Sequence, residues 1–265
     1  LLIICENKGA FCTFANVLTC KHQIMGCQLN KTFRFKQFCI ESGGQSMSVG
    51  TDGVLLGAGA EAPQATTILD IGTGSGVIAL MLAQRFPHAA ITGIDINELA
   101  IEIARKNANS SPFKQNTEFI NIDARSFVAN KKFDLIVSNP PFFPTGSLES
   151  GTARAKARSF ETLTLQQLIK CASNNISKQG TFAVIIPYDL AENFEFLAWE
   201  KDFFPVRCTD VVTVSNKPPK RKLMQFVPSS KAIKEQTNNT LTLTTSDGAK
   251  TDEYISLTKD FYLDK

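Results

Sequence analysis

The sequence lacks a long hydrophobic run, a leader pattern and the composition of a disordered chain. Its longest strongly apolar stretch covers residues 77–83, whereas a helix that crosses a bilayer needs roughly 20 apolar residues. No basic segment followed by an apolar core is found, so a signal peptide is not expected. With 43% hydrophobic and 20% charged residues, disordered, collagen-like and coiled-coil classes are excluded. We therefore expect a globular, cytoplasmic protein with no membrane partner.

Cysteine pairs with metal-binding spacing are also missing. The seven cysteines include no C-x-x-C pair, which is the spacing typical of zinc ribbons. His22 lies between Cys20 and Cys27, but a four-ligand site built on them would need unusual spacings. An odd number of scattered cysteines suits a reducing compartment. We therefore expect no metal site and, again, a cytoplasmic location.

No charge of one sign dominates the sequence. The 28 basic and 25 acidic residues leave a net charge of +3, which is too small to prove nucleic-acid binding and too positive to exclude it. The basic residues form three clusters, at 31–36, 154–158 and 217–222. Any one of these could be ordinary solvated surface, so their meaning depends on the motifs between them.

From residue 66 onward, strand and helix patterns alternate. Strands are predicted at 68–71, 90–96, 118–122, 133–138 and 181–186, and helices at 75–86, 98–107, 163–176 and 190–202. This alternation is typical of an α/β fold with a parallel sheet covered on both faces. Three later strand-like segments, at 206–214, 222–227 and 240–245, are joined by short turns and predict antiparallel strands that close the sheet.

The domain organisation follows from the same patterns. Residues 1–30 show no clear periodicity and are predicted to be an atypical N-terminal extension. Residues 31–265 are predicted to form a single domain, in which residues 31–60 flank the substrate and cofactor site.

A glycine-rich segment, Asp-Ile-Gly-Thr-Gly-Ser-Gly at 70–76, stands between a predicted strand and helix. Gly72, Gly74 and Gly76 let the backbone turn sharply and approach a ligand, and the helix N-terminus offers free amides. A dinucleotide fingerprint would need a small residue where Val77 stands. The G-x-G-x-G spacing, with Asp70 two places before it, fits S-adenosylmethionine better, because a carboxylate suits its cationic sulfonium and amino groups.

Two further carboxylates end predicted strands. Asp95 follows the glycines by about 20 residues, where a carboxylate can accept both hydroxyls of a ribose, and Ile96 next to it is a further candidate cofactor contact. Asp123 closes the third strand and can accept a hydrogen bond from the exocyclic amine of adenine. Nicotinamide sites also use a carboxylate like Asp95, so these residues support a nucleoside cofactor without choosing one.

The segment Asn139-Pro140-Pro141-Phe142 follows the fourth predicted strand directly. The prolines fix φ and remove two amide donors, so that carbonyl oxygens remain as acceptors. The Asn139 side-chain carbonyl and the Pro140 backbone carbonyl together can accept both protons of a planar amine. Phe142 offers an apolar face on which a flat base can stack. The segment therefore predicts a site that holds a planar exocyclic amine.

On these residues the sequence resembles the class I S-adenosylmethionine-dependent methyltransferases that modify exocyclic amines. More narrowly, it resembles the bacterial tRNA1(Val) adenine-N6-methyltransferase family over about residues 32–265. The segments that carry this narrower resemblance are 33–38, 47–57, 70–76, 139–142 and 153–165. Family members often carry Tyr where Phe142 stands, and residues 1–30 have no recognised counterpart.

The resemblance implies a Rossmann-like, mostly parallel sheet of about seven strands with an antiparallel C-terminal part and helices on both faces. It implies S-adenosylmethionine as cofactor and tRNA as partner, with an anticodon-loop adenosine of a valine tRNA as target. Thr51 and Asp52 would then flank the cofactor, and Asn139 would also lie beside it. The residues expected to hold RNA are Lys36, Phe142, Arg154 and Arg158.

Two alternatives stay open at this point. The acceptor segment at 139–142 also occurs in enzymes that methylate other amines, such as guanine N2 of rRNA or the glutamine amide of a protein. A nicotinamide-dependent oxidoreductase is more remote, because Val77 breaks the dinucleotide spacing and the acceptor segment would have no role.

Overall fold

The computed structural model describes residues 32–42, 49–141, 163–231 and 235–263. The predicted extension at 1–30 lies outside the described residues, and so do Phe142, Arg154 and Arg158. The strands are β1 Thr32–Arg34, β2 Cys39–Glu41, β3 Thr67–Ile71, β4 Ala90–Asp95, β5 Thr117–Asn121, β6 Phe133–Ser138, β7 Ile176–Pro187, β8 Phe203–Val214, β9 Arg221–Pro228 and β10 Thr237–Thr244. The helices are α1 Thr51–Gly59, α2 Val77–Arg85, α3 Glu98–Asn109, α4 Leu165–Asn175, α5 Ala191–Trp199 and α6 Asp252–Thr258, with short 3-10 turns at Lys114–Asn116 and Tyr188–Leu190.

One mixed sheet organises the molecule, in the order β10-β8-β9-β7-β6-β3-β4-β5. All its neighbouring strands are parallel except where β9 meets β7 and β8. The predicted α/β class and mostly parallel sheet are therefore confirmed, although the sheet has eight strands. Of the three late segments only β9 is antiparallel. A short connection returns the chain from the end of β9 into β10, so β10 again runs parallel to β8.

Both faces of the sheet are buried, because successive strand residues point to opposite sides. In β6, Leu135 and Val137 face the core that contains α1, α2, α3 and α6, while Ile136 faces the core that contains α4 and α5. The second core includes a cluster of four phenylalanine rings, Phe182, Phe194, Phe203 and Phe226, with centroids 5.6–6.3 Å apart. At roughly 25 cal/mol per Å² of buried apolar surface, these two layers supply most of the driving force for folding.

Helix α1 packs against α2 through glycines. A Cβ added to Gly57 would lie 2.8 Å from Sδ of Met81, and one added to Gly53 would lie 3.6 Å from Val77. The glycines therefore allow a close approach that a side chain at position 57 would prevent. As a result, the first turn of α1 stands beside the N-terminus of α2, where the glycine-rich segment ends.

Candidate active site

The predicted site residues follow the carboxyl ends of β3, β4, β5 and β6, which meet along one edge of the sheet. The chain leaves β3 towards β4 on one side and leaves β6 towards β7 on the other. Such a point, where the strand order reverses, forms the ligand crevice of open α/β sheets. Ser138 donates from Oγ to the backbone oxygen of Ile71 at 2.8 Å, and both residues are buried. This bond holds the ends of β3 and β6 together.

The glycine-rich segment forms a tight loop over this edge. Gly72, Gly74 and Gly76 have φ angles of 75°, 54° and 81°, in the left-handed region that favours glycine. A Cβ on Gly72 or Gly74 would meet no atom of the described residues within 4 Å, whereas one on Gly76 would lie 3.2 Å from Ala104 and Phe119. Gly76 therefore serves the packing of α3 and β5. Gly72 and Gly74 leave open space over the loop.

Asp95, at the end of β4, fixes the loop from one side. Its Oδ2 accepts a hydrogen bond from the amide of Gly74 and its Oδ1 accepts one from the amide of Asn97, both at 2.9 Å. Asn97 in turn caps α3 by accepting from the amide of Leu99 at 3.0 Å. A carboxylate has about four acceptor positions, so two of them remain for a pair of ribose hydroxyls. The predicted role of Asp95 is compatible with this geometry.

Asp70 lies beneath the loop and is completely buried. Its Oδ2 accepts a 2.7 Å hydrogen bond from the Thr73 hydroxyl, while Oδ1 has no hydrogen-bond partner in the described part of the chain. Burial raises the pKa of Asp70 to about 7; the Thr73 bond offsets part of this shift, and repulsion from Asp95 adds to it. A buried carboxylate without a full set of partners favours a cation or a donor beside it.

These observations test whether the site fits S-adenosylmethionine. The open space over Gly72 and Gly74 admits a ligand close to the backbone. The Asp95 carboxylate lies on one side of the loop, and the buried carboxyl group of Asp70, whose pKa is raised to about 7, would be stabilised in its ionised form by a cationic ligand. That combination suits a cationic nucleoside better than a pyrophosphate. The residues therefore fit the predicted cofactor.

Asp123 and Ile96 lie at the adjoining strand ends. Asn121 donates to the backbone oxygens of Asp95 and Ile96 at 3.1 and 2.9 Å, and the side chain of Ile96 is 49% exposed. Asp123 accepts from Nε of Arg125 at 2.7 Å, and this partner holds the pKa of Asp123 below its usual range. Sequence reasoning missed Arg125, for which the two-residue spacing from Asp123 was the available signal.

The acceptor segment begins where β6 ends. Asn139 is half-buried, Pro140 is buried and Pro141 is exposed. They directly follow Ser138, whose hydroxyl reaches the end of β3. The structure thus places Asn139 and Pro140 next to the strand that carries the glycine-rich loop, which is compatible with their predicted roles.

Thr51 and Asp52 form the first turn of α1. Asp52 is half-buried, and its Oδ2 accepts a 2.8 Å hydrogen bond from Nε of Arg221 at the start of β9. Sequence reasoning assigned Arg221 only to a basic cluster. No local signal could have found this pair, because the two residues are 169 positions apart.

Lys36 is not brought to this edge. Its amide donates to the backbone oxygen of Phe261 at 2.7 Å, and Gln84 near the end of α2 donates to the backbone oxygen of Asp260. Lys36 therefore lies near the C-terminal end of α2, a helix of nine residues or about 13 Å, while the glycine-rich loop precedes the N-terminal end. A role for Lys36 in RNA binding remains a prediction, and it would concern RNA far from the reacting base.

The described residues also bear on two other kinds of feature, a metal site and a membrane span. No three His, Cys, Asp or Glu side chains in that part of the chain come together as a metal site would require. None of its helices has the length and hydropathy needed to cross a membrane.

The sheet, the glycine-rich loop and the acidic strand ends define a class I S-adenosylmethionine-dependent methyltransferase. The family described as Methyltransferase small domain matches residues 49–194. Among solved structures, a predicted O-methyltransferase from Agrobacterium tumefaciens superposes with a TM-score of 0.59 at 18% identity, covering 79% of this chain and 96% of that one. The glycopeptide N-methyltransferase MtfA, solved with S-adenosylmethionine, has a TM-score of 0.51 at 11% identity over 71% and 99% of the two chains. At these identities the structures show the fold.

Similarity to known sequences identifies the particular family within this class of methyltransferases. The tRNA1(Val) (adenine(37)-N6)-methyltransferase of Porphyromonas gingivalis is 43% identical over 87% of this chain and 94% of its own. The proteins of the same name from Bacteroides thetaiotaomicron and Vibrio parahaemolyticus are 39% identical over 88% of this chain and 98% and 96% of theirs. The chain belongs to the tRNA1(Val) (adenine(37)-N6)-methyltransferase family. The predicted family and cofactor are confirmed, and the nicotinamide alternative is set aside.

Proposed function

We propose that this protein transfers the methyl group of S-adenosylmethionine to N6 of adenosine 37 in tRNA1(Val). The observation that carries the proposal is the position of Asn139 and Pro140, directly after β6 and beside the glycine-rich loop of β3. The relatives that share at least 38% identity over most of the chain support the same substrate.

The acceptor residues would act by orienting a poor nucleophile. The lone pair of the adenine amine is delocalised into the ring. When the Asn139 Oδ1 and the Pro140 backbone oxygen accept both N–H groups, the nitrogen becomes pyramidal and its lone pair can point at the reacting carbon. Because Pro140 and Pro141 carry no N–H, only acceptors face the amine. Orientation and preorganised dipoles would then supply most of the rate enhancement.

The cofactor would be held by the residues of the four strand ends. Asp70 would face the cationic end of the cofactor. The cofactor would lie close to the backbone of the loop that contains Gly72, Gly74 and Gly76. Asp95 would bind the ribose, with Ile96 and Asp123 at the adenine. When bound, S-adenosylmethionine supplies an activated methyl group on a good leaving group.

Thr51 and Asp52 would border the cofactor because α1 begins beside the N-terminus of α2. Since the Asp52 carboxylate already binds Arg221, we propose that Asp52 shapes this border through Arg221, while Thr51, which is exposed, is free to contact a ligand.

The target base would have to leave its stack to reach Asn139, which is feasible in a single-stranded loop. An enzyme that modifies tRNA works where tRNA is found, so we propose a cytoplasmic location. We further propose that residues 31–265 act as one methyltransferase domain.

The experiment that tests the proposal starts with unmethylated total tRNA. The protein is incubated with the tRNA and methyl-labelled S-adenosylmethionine, and the digested nucleosides are identified. Label in N6-methyladenosine that maps to position 37 of tRNA1(Val) is the expected result. Parallel reactions contain rRNA and a protein mixture. Label in N2-methylguanosine or methylglutamine, with none in tRNA, would overturn the proposal.

A further inference from the structure

A basic turn joins β8 to β9 at residues 215–220. Sequence analysis found a cluster of four basic residues here, and the structure separates them into two groups. Arg221 binds Asp52 at 2.8 Å, and Lys222 lies 3.6 Å from Asp210 and 4.0 Å from Glu195. Lys217 and Lys220 are exposed and form no ion pair among the described residues. These three carboxylates are thus paired with Arg221 and Lys222, which leaves the two lysines of the turn as positive charges without an ion pair in the described part of the chain.

The backbone of the basic turn is well braced. The amide of Lys217 donates to Val214 and the amide of Lys220 to Val211, at 3.1 and 2.9 Å. The oxygen of Lys220 accepts from the amide of Tyr188 at 3.1 Å and from Nη1 of Arg221 at 3.0 Å. Pro218 and Pro219 between the lysines have fixed φ angles. When a ligand binds, the side chains of the two lysines would have to be ordered but the backbone of the turn would not, so the backbone adds little entropic cost to binding.

The turn stands at the same edge of the sheet as the acceptor segment. Because β9 is antiparallel to β7, it begins where β7 ends, with Arg221 opposite Pro187. Two strand spacings separate β9 from β6, or about 10 Å. Ser138 pairs with Val184, three residues before Pro187, so β7 and the turn rise about 10 Å above the end of β6. The turn therefore forms a raised basic rim beside Asn139.

We propose that Lys217 and Lys220 bind phosphate groups of the RNA strand that flanks the methylated adenosine. This inference rests on the proposed function. A base delivered to Asn139 carries its neighbouring phosphates past the rim, at a distance that a few nucleotides span. Lysine ammonium groups bind phosphates as point charges, and each contact releases a counterion from the RNA. The rim thus holds the strand on the β7–β9 side and leaves the base to the acceptor segment.

The test uses the full chain and the tRNA substrate, with binding measured from about 50 to about 200 mM salt. The double variant Lys217→Gln/Lys220→Gln should weaken tRNA binding several-fold at low salt. The slope of log K against log salt should become shallower by about 1.4, the value for two contacts to a single strand. The rate at saturating tRNA should fall much less than the affinity. The double variant Lys217→Arg/Lys220→Arg should restore the slope.

Lys222→Gln is the matched control, because it removes one charge from the same cluster at a position already paired with two carboxylates. It should keep the wild-type slope. An equal loss of slope in Lys222→Gln, or an unchanged slope in the double glutamine variant, would overturn the inference. Failure of the wild-type protein to methylate any tRNA would instead overturn the proposed function, so the two failures are distinguishable.

Discussion

Arg221 donates from Nε to Oδ2 of Asp52 at 2.8 Å and thereby joins the start of β9 to the first turn of α1. The same guanidinium donates from Nη1 to the backbone oxygen of Lys220. One side chain thus connects three parts of the chain at the active edge: the helix beside the glycine-rich loop, the antiparallel strand and the basic turn. Because both side chains are partly exposed, we expect this ion pair to contribute little to stability and to act mainly by positioning these parts.

A double-mutant cycle of Asp52→Asn and Arg221→Gln measures that contribution. The two side chains are 30% and 37% exposed, so solvent screens the pair, and we expect a coupling energy of no more than about 1 kcal/mol. The measurement is urea unfolding of the wild type, both single variants and the double variant. A coupling above about 2 kcal/mol would show that the pair is a principal support of the fold.

Asn139→Ala should lower the rate of methyl transfer by about 10²–10³-fold, as is typical for the loss of one preorganised partner of a reacting group. Cofactor binding should stay within a few-fold of wild type, because Asn139 is expected to act mainly on the substrate amine. Single-turnover rates and calorimetric titration with S-adenosylmethionine check both parts. Asn130→Ala, which changes an exposed asparagine before β6, is the control. A near wild-type rate for Asn139→Ala would contradict the acceptor role.

Gly74→Ala should weaken cofactor binding far more than it destabilises the fold. Alanine at a φ of 54° costs roughly 1–2 kcal/mol, and its methyl group would enter the open space over the loop. Gly248→Ala is a matched control, because Gly248 also has a positive φ, of 88°, and a Cβ there would meet no atom within 4 Å in the part of the chain that the structure describes. Thermal unfolding with and without S-adenosylmethionine separates the effects. Equal cofactor-induced shifts in the two variants would place the ligand elsewhere.

The stability of the ligand-free protein should depend on pH through Asp70. Its pKa is raised from 3.8 to about 7 by burial, so the folded state keeps a proton that the unfolded state releases. The stability contributed by this group is therefore greatest below about pH 4 and falls as pH rises to about 7, by up to about 4 kcal/mol. Urea unfolding of the wild type and of Asp70→Asn, measured from pH 5 to 8, tests this expectation.

Asp70→Asn should flatten the pH dependence, because its amide has no proton to lose. Asp189→Asn, at an exposed position, should keep the wild-type profile. If the wild type and Asp70→Asn lose stability in parallel over this range, the carboxyl group of Asp70 is already ionised in the folded protein.

The sequence could predict the parts of the site whose signals are local. The glycines at 72, 74 and 76, the carboxylate at the end of β4 and the prolines after β6 each constrain the backbone or the hydrogen bonding of their own neighbours. Parallel strands then bring their carboxyl ends to one edge without further information. For this reason Asp70, Asp95 and Asn139 lie where the pattern indicated.

Other features depend on contacts between distant residues and could not be predicted in this way. Helix α1 is rich in glycine, which disfavours an isolated helix, and it is stabilised by close packing on α2 at Gly57 and Met81. The Asp52–Arg221 pair has no sequence spacing that would reveal it. The position of Lys36 far from the acceptor segment follows from the packing of Phe35 and Phe38 against Phe113 and Tyr262, which a basic cluster alone does not indicate.

The reversed direction of β9 determines where the turn at residues 215–220 lies relative to the candidate active site. The match to the family ends at residue 194, and by that point the four strand ends of the candidate site are complete. A parallel strand in the place of β9 would have begun at the opposite edge of the sheet, where the amino ends of β3 to β6 lie, and the turn before it would have been at that edge as well. Because β9 runs the other way, the turn that precedes it lies at the same edge of the sheet as the acceptor segment, although this turn follows the residues that match the family. If Lys217 and Lys220 bind RNA as proposed, changes of length or charge in that turn would alter RNA binding while Asn139 and Pro140 stay unchanged.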